Sequence, residues 1–316
     1  MVLRYDPELL ELLRGARATA PPPPKDVYDL RKTNDAIIGM FASLFPAPTN
    51  VEEETFHFTA KDGTQLPIYR FTPPAVKEQT TPQRAVIFLH GGGMVSGSVA
   101  LFKPNALYYA AEAGVTIFSV GYRLAPEFPF PTPVEDVYAA LEWLQSHAQE
   151  HNVDPARIGI CGVSAGGGIA AGVTLMARDR KLAPPLAKQV LIYPMLDDRT
   201  TFGPENPLWP FLTWTVLRNE IGWDCYLGSD RSNVSPYAAP ARATDLSGLP
   251  RTFIDVGGLD LFRDEDVSYA ARLAAANVEV EFHLYPGVPH GWDLSARYLS
   301  VTKAAEQNRV AALSDF

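Results

Sequence analysis

Hydrophobic residues in the second quarter of the chain and beyond occur in short unbroken runs separated by longer amphipathic stretches. The runs AVIFLH, VTIFSVG, RIGICG, QVLIYP and RTFIDVGG are rich in β-branched residues and do not alternate with polar ones. Such runs are typical of strands buried on both faces of a sheet. The intervening stretches predict helices at about 103–113, 133–150, 165–181 and 263–277. A further strand, VEVEFHLYP, and a last helix near 295–313 close the chain. This alternation predicts an α/β fold with a mainly parallel central sheet and helices on both faces.

The first fifty residues follow a different pattern. Leucines among acidic residues predict a short helix near 6–15, and the run Pro21–Pro24 must be extended. A second helical stretch, VYDLRKTNDAIIGMFASLF, ends before Pro46. Two alternating runs around an Asp-Gly pair, EETFHFTA and TQLPIYRFT, then predict a β-hairpin. We expect residues 1–50 to form a helical cap segment and residues 51–316 to form the core.

Residues 196–228 interrupt the alternation of strands and helices. A minimal α/β unit would need only one helix here, yet this stretch also contains Trp209, Trp214 and Trp223. An aromatic-rich insertion of this kind favours a cap that covers a site, with additional core as the alternative. We therefore expect a cap insertion at about 196–228 within the core.

Composition narrows the class of protein. The 316 residues are 47% hydrophobic and 20% charged, an ordinary globular balance. The net charge of −9 argues against a nucleic-acid partner. No apolar stretch approaches the ~18 residues that span a bilayer, and the N-terminus lacks the pattern of a signal peptide. Because the two cysteines, Cys161 and Cys225, suit a reducing compartment, we expect a cytoplasmic protein.

Candidate catalytic residues follow three of the predicted strands. Ligands of open α/β sheets bind outside the carboxyl ends of the strands. Ser164 lies in Gly-Val-Ser-Ala-Gly-Gly after RIGIC, Asp260 follows RTFIDVGG, and His290 lies in Pro-His-Gly-Trp after the strand VEVEFHLYP. This chain order of serine, acid and histidine matches the nucleophile elbow and triad of α/β-hydrolases. Other nearby acids fall inside the strand or in the first turn of the next helix, where acids favour the helix dipole: Asp255, Asp264, Glu265 and Asp266.

Three glycines follow His90 at the end of AVIFLH. A phosphate-binding loop would need a Gly-Lys-Ser/Thr ending, and a dinucleotide site would need G-x-G-x-x-G with a distant acid; neither is present. Backbone N–H groups without side chains suit an oxyanion hole, and HGGG is a known partner of the elbow, with a flexible loop as the alternative. The adjacent acids Asp197 and Asp198 have no histidine beside them, so we expect no metal site and no cofactor.

Five motifs together resemble the hormone-sensitive-lipase-like family of α/β-hydrolases: HGGGMVSGS, YRLAPEFPFP, GVSAGG, LDLFRDE and PHGW. The resemblance covers roughly residues 85–293 and implies the α/β-hydrolase fold with a helical cap. It implies that Ser164 is the nucleophile, His290 the base and Asp260 the acid that orients it. It also implies oxyanion donors at the backbone N–H groups of Gly92, Gly93 and Ala165.

The sequence departs from this family at two positions. Val163 stands where the family usually has Asp or, less often, Thr, and Leu261 stands where it usually has Pro. Neither position supplies catalytic atoms in the family, so the implied mechanism is retained. The hydrogen bonding at the elbow and the substrate preference are left open.

The function implied by the resemblance is a serine carboxylesterase that hydrolyses short to medium acyl esters of small molecules. An acyltransferase, a lactonase or a dehydratase could use the same triad, and a non-catalytic binding protein is a further alternative, although such receptors lack the triad histidine. We expect a small-molecule ester as the partner and leave a homodimer open. The substrate pocket is expected to involve five residues: Met94, Val95, Trp209, Phe211 and Trp214.

Overall fold

The computed structural model describes residues 3–15, 22–44 and 47–316. Within these ranges the strands are β1 Glu52–Thr59, β2 Gln65–Thr72, β3 Gln83–Leu89, β4 Thr116–Val120, β5 Val153–Val163, β6 Lys188–Ile192, β7 Arg251–Gly257 and β8 Val280–Tyr285. The helices are α1 Pro7–Gly15, α2 Val27–Leu44, α3 Pro74–Lys77, α4 Val99–Ala113, α5 Thr132–Ser146, α6 Ala165–Asp179, α7 Val216–Leu227, α8 Arg263–Ala275, α9 Trp292–Ser295 and α10 Ser300–Ser314. Two 3₁₀ turns are Trp209–Phe211 and Pro240–Arg242. Pro21 and Pro46, which the sequence places at the edges of the N-terminal helices, lie outside the described residues.

The described strands form one sheet in the order β1-β2-β4-β3-β5-β6-β7-β8. The hairpin strands β1 and β2 pair antiparallel, and β2 pairs antiparallel with β4. Every other neighbouring pair is parallel. The prediction of a mainly parallel sheet with helices on both faces is confirmed. Because parallel strands share one direction, the loops after β3, β5, β7 and β8 all leave the sheet at the same edge.

Side chains of the buried strands alternate between two hydrophobic layers. In β3, Ala85, Ile87 and Leu89 belong to one layer, and Val86 and Phe88 belong to the other. Apolar residues of α5, α6 and α8 complete the first layer, and those of α4 and α10 complete the second. Burial on both faces is the reason why the strands appear in the sequence as unbroken hydrophobic runs.

Helix α4 begins at Val99 rather than near residue 103. Its N-cap is Ser98, whose hydroxyl accepts the N–H of Leu101, and Pro104 lies inside the helix. The helix begins at this cap although Pro104 removes one backbone hydrogen bond, a loss that the buried face of α4 must offset. The prediction from sequence therefore started the helix four residues too late.

The start of the insertion at 196–228 is fixed by two buried acids. The carboxylate of Glu265 accepts the N–H groups of Leu196 at 2.7 Å and Asp197 at 3.1 Å. Burial raises the pKa of Glu265 well above its usual range. Asp198 binds the guanidinium of Arg242 through both carboxylate oxygens, at 2.6 and 2.9 Å. The start of the insertion is therefore attached to α8 and to the 3₁₀ turn Pro240–Arg242 before the chain reaches α7. Over the described residues, no helix is long and apolar enough to cross a membrane.

A fully buried cation, Arg309 of α10, joins three segments of the fold. Its Nε lies 2.6 Å from Asp255 in β7, and its Nη1 lies 2.6 Å from Asp293 in α9. Glu306 lies 3.5 Å from the same guanidinium, and burial raises the pKa of Glu306 to about 7. A buried acid stays charged only while it is paired, and otherwise its pKa rises until it is neutral. Arg309 therefore holds the C-terminal helix against β7 and the segment that follows β8.

We expect Arg309→Met to lower the free energy of unfolding by about 3–5 kcal/mol, because removing one partner of a buried ion pair leaves the other uncompensated. The remaining acids would then stay protonated in the folded state at pH values where the unfolded chain ionises them. The deficit should therefore grow as the pH rises from about 5 to 8. Urea unfolding at both pH values measures the effect, and Lys303→Met, on the exposed face of α10, is the control. Equal stability of the two variants would contradict the prediction.

Candidate active site

Three of the residues identified from the sequence form one hydrogen-bonded chain. Ser164 Oγ lies 2.9 Å from His290 Nε2, and His290 Nδ1 lies 2.8 Å from Asp260 Oδ2. A carboxylate only accepts, so Nδ1 donates to Asp260 and Nε2 is left to accept the Ser164 hydroxyl proton. The structure brings together a hydroxyl, an imidazole in the tautomer that accepts a proton, and an acid that fixes that tautomer.

The acids that crowd the stretch after β7 occupy distinct environments. Asp260 is fully buried and also accepts the N–H of Phe262 at 2.9 Å, which fixes its carboxylate towards His290. Asp264 is exposed and pairs with Arg263. Asp266 is buried, and burial raises its pKa well above the usual range. Of these carboxylates, Asp260 is the one within hydrogen-bond distance of the imidazole.

Ser164 lies at the sharp turn between β5 and α6. Its φ of 56° and ψ of −119° are rare for any residue with a side chain. The turn is held by backbone hydrogen bonds, since Ser164 N–H donates to Ile192 at 2.8 Å and Ser164 C=O accepts from Met195 at 3.0 Å. A Cβ on Gly166 would overlap the carbonyl oxygens of Leu89 and His90. Glycine is required there because the first turn of α6 lies directly against the loop after β3.

Backbone N–H groups that could stabilise an oxyanion surround this turn. Ala165 is the first residue of α6, so its N–H has no acceptor within the helix. In the part of the chain that the structure describes, the N–H groups of Gly92 and Gly93 donate no hydrogen bond. Gly93 has a φ of 62°, and a Cβ there would overlap the ring of Trp214. The glycine loop is thus enclosed between the elbow and the insertion.

The glycine loop is anchored at its start by a buried pair of rings. His90 stacks on Tyr122 with ring centroids 4.4 Å apart, and the Tyr122 hydroxyl donates to the His90 carbonyl at 2.7 Å. Burial lowers the pKa of His90 to about 4, so its ring is neutral at pH 7. His90 Nδ1 lies 2.8 Å from the carbonyl oxygen of Gly91, to which it donates. Tyr122 therefore supports the glycine loop directly.

Three aromatic side chains surround the imidazole of His290. The ring centroids of Tyr193, Phe262 and Trp214 lie 4.8, 5.0 and 6.5 Å from it. The Tyr193 hydroxyl also donates to Asp293 at 2.7 Å, which connects the surroundings of His290 to Arg309. The sequence analysis did not identify Tyr193. It directly follows β6, however, and ligands of such sheets bind outside the carboxyl ends of the strands, so its position was a usable signal.

The five predicted pocket residues occupy different positions. Trp214 is buried against Gly93, and Met94 and Val95 are buried within the glycine loop. Phe211 makes an edge contact with the ring of Tyr5, at 5.0 Å between centroids. Trp209 is 42% exposed. The structure therefore brings Trp214 to the triad, places Phe211 between the insertion and the N-terminal segment, and leaves Trp209 at the surface.

The two departures from the family motifs are both buried among apolar residues. Val163 belongs to the hydrophobic layer that contains α4 and α10, and Leu261 belongs to the opposite layer with α5 and α6. Neither adds a polar group beside the triad. In the described ranges, no group of three or more His, Cys, Asp or Glu side chains is arranged to hold a metal ion.

A serine, a histidine and an aspartate joined by hydrogen bonds at the carboxyl ends of a mainly parallel sheet are typical of α/β-hydrolases. A family model described as alpha/beta hydrolase fold matches residues 86–294. The chain belongs to this family of α/β-hydrolases.

Similar proteins narrow the class further. The chain is 37% identical over 270 residues to carboxylesterase NlhH of Mycobacterium tuberculosis, covering 83% of this chain and 82% of that protein. It is 27% identical over 304 residues to ethyl acetate hydrolase of Pseudomonas putida, covering 96% and 93%. The solved structure of a bacterial heroin esterase superposes with a TM-score of 0.86 at 37% sequence identity, and the match covers 98% of this chain and 97% of that one. The expectation of a carboxylic ester hydrolase is confirmed at the level of the enzyme class.

The backbone strain at Ser164 can be measured independently of activity. We expect Ser164→Gly to be more stable than Ser164→Ala by about 1 kcal/mol, because a strained φ costs a residue with a Cβ about 1–3 kcal/mol. The larger unfolded-state entropy of glycine offsets part of this gain. Urea unfolding gives both values. At the exposed helical position Ser268 the order of the glycine and alanine variants should reverse. The same order at both positions would exclude strain at the elbow.

Proposed function

We propose that the protein hydrolyses carboxylic esters through an acyl-enzyme on Ser164. His290 takes the Ser164 proton as the Oγ–carbon bond forms, and it returns that proton to the departing alkoxide as the ester C–O bond breaks. Asp260 holds the imidazole in the required tautomer and stabilises the imidazolium. Water then attacks the acyl-enzyme with His290 again as the base, which releases the acid. The observation that carries this proposal is the chain of two hydrogen bonds, at 2.9 and 2.8 Å, from Ser164 to Asp260.

The negative charge of the tetrahedral intermediate would be stabilised by the N–H groups of Gly92, Gly93 and Ala165. Preorganised donors of this kind contribute strongly, since losing one typically costs about 10²–10³ in rate. Two observations support this assignment: these N–H groups donate no hydrogen bond within the described residues, and a Cβ on the adjacent Gly91 would lie 3.2 Å from Ser164 Cβ. The same atoms would serve an acyltransferase, but relatives named as ester hydrolases favour water as the acceptor.

Residues 1–50 and the insertion at 196–228 would together form the cap. In support of this, Phe211 of the insertion contacts Tyr5, and α2 packs against α7. Thr213 donates to the carbonyl of His290 at 2.7 Å, which brings the insertion over the triad. We propose a substrate with a short to medium acyl chain, about C2–C8 by likeness to the family, because the ring of Trp214 fills space beside Gly93. A cytoplasmic location stays a prediction from the sequence, and the sequence leaves a homodimer open.

The assignment of the catalytic residues is tested by substitution. Ser164→Ala and Asp260→Asn should each lower kcat for p-nitrophenyl butyrate by roughly 10⁴, the first by removing the nucleophile and the second by allowing the wrong imidazole tautomer. Asp264→Asn is the matched control, because that carboxylate is exposed, and it should retain activity within about twofold. A chelator should leave the native enzyme active. Full activity of Ser164→Ala, or a larger loss in Asp264→Asn than in Asp260→Asn, would overturn the assignment.

The role of Trp214 in size selection is tested by shortening its side chain. Each buried methylene contributes about 0.8 kcal/mol of transfer free energy, so activity should rise with chain length until the acyl chain meets the ring. Trp214→Ala should therefore raise the ratio of kcat/KM for octanoate over acetate esters by roughly tenfold. Leu217→Ala, at an exposed position of α7, is the control and should leave the ratio unchanged. An unchanged ratio in Trp214→Ala, with a lowered Tm, would show that the ring only stabilises the fold.

A further inference from the structure

The direction of the Gly93 N–H is fixed by the carbonyl group of Gly92. The two groups belong to one trans peptide unit, in which C=O and N–H point in opposite directions. Whatever holds the Gly92 carbonyl therefore aims the proposed oxyanion donor. That carbonyl accepts three hydrogen bonds: from Ser96 Oγ at 2.8 Å, from Ser96 N at 3.0 Å and from Val95 N at 3.2 Å.

The hydroxyl of Ser96 is itself oriented from outside the loop. Ser96 is fully buried, and Asn34 Nδ2 of helix α2 donates to its Oγ at 2.7 Å. Because Asn34 donates to that oxygen, the hydroxyl proton of Ser96 is directed to the other neighbouring acceptor, the Gly92 carbonyl. Two successive hydrogen bonds thus connect helix α2 to the peptide unit that contains the Gly93 N–H.

Two further residues on the same face of α2 hold the same loop. Arg31 Nε donates to the carbonyl of Val95 at 2.6 Å. Asp35 Oδ1 accepts the N–H of Gly97 at 2.7 Å. Residues 31, 34 and 35 follow the i, i+3, i+4 spacing of one helical face, and they bind three consecutive residues of the loop. Packing that only covers apolar surface would not need three hydrogen bonds to consecutive residues of the loop.

We infer that helix α2 is a positioning element of the oxyanion hole and that Asn34 acts through Ser96 as a positioning residue for the Gly93 N–H. This inference rests on the proposed catalytic role of Ser164 and the glycine loop. It gives the N-terminal segment a part in turnover beyond covering the site. The alternative is that the contact between α2 and the loop stabilises the fold alone.

Two substitutions at Asn34 separate these roles. Asn34→Leu keeps the branched shape without a donor, and Asn34→Asp keeps the shape but offers an acceptor, which would draw the Ser96 hydroxyl away from Gly92. With p-nitrophenyl butyrate, kcat should fall roughly tenfold in Asn34→Leu and further in Asn34→Asp, while KM changes less than about twofold. Lys32→Gln, at an exposed position of α2, is the control and should match the native enzyme.

A second readout follows the oxyanion directly. A trifluoromethyl ketone adds to the active-site serine as a tetrahedral adduct, so its inhibition constant should weaken by the same factor as kcat. Ser96→Ala tests this connection from the loop side, and in the double variant with Asn34→Leu the losses should not add, because both act on one peptide. Where Asn34→Leu does not fold, Ser96→Ala alone carries the test.

The outcomes distinguish this inference from the proposed function. Activity retained in Ser164→Ala would overturn the catalytic assignment and the inference with it. Loss of activity in Ser164→Ala, together with native kcat and inhibitor affinity in Asn34→Leu, Asn34→Asp and Ser96→Ala, would overturn the inference alone. A fall in Tm without a fall in kcat would likewise assign α2 a stabilising role only.

Discussion

The contact between the glycine loop after β3 and the first turn of α6 is the constraint on which the active site depends. Backbone meets backbone there, since a side chain at Gly166 would overlap the carbonyl oxygens of Leu89 and His90. The parallel pairing of β3 with β5 brings both loops to the same edge, in register from Ala85 to Leu89. The proposed nucleophile and the proposed oxyanion donors are thus close together because neighbouring strands end together. Their separation is set by main-chain atoms, which hold a geometry more tightly than flexible side chains do.

Two polar anchors act on opposite sides of this contact. Behind the proposed base, Arg309 binds Asp255 and Asp293, and Tyr193 connects Asp293 to the ring of His290. In front of the elbow, α2 binds the glycine loop, and Arg31 also pairs with Glu127 through two hydrogen bonds at 2.9 and 2.6 Å. The first anchor is fully buried, and the second is partly exposed to solvent. The base is therefore held by the core, whereas the proposed oxyanion donors depend on a segment near the N-terminus.

The sequence predicts the sheet, and it selects the three residues that the structure joins by hydrogen bonds, because both leave local signals. Strands buried on two faces give unbroken hydrophobic runs, and a turn as sharp as that at Ser164 needs glycines beside it. The chain order of Ser164, Asp260 and His290 then predicts the triad without any knowledge of distances. The start of α4 was misplaced because a capping serine and an interior proline give opposing local signals.

The contact of α2 with the glycine loop could not be predicted in this way. Arg31, Asn34 and Asp35 look like the polar face of an ordinary amphipathic helix, and their partners in the loop lie more than sixty residues further along the chain. The insertion presents the same difficulty, because composition does not reveal which of its rings faces the site. Trp209 and Trp214 are five residues apart, yet one is at the surface and the other is buried against Gly93.

The attachment of the insertion to the base loop affects how substrate size is recognised. Thr213 binds the carbonyl of His290, and the next residue, Trp214, packs against Gly93. A substrate bulky enough to displace the Trp214 ring would therefore also pull on the loop that positions the imidazole. Misplacing a catalytic group lowers the rate of the chemical step as well as the affinity. We therefore expect bulk to be penalised in kcat and not in KM alone, so that the proposed preference for small esters would depend on the position of the imidazole as well as on space.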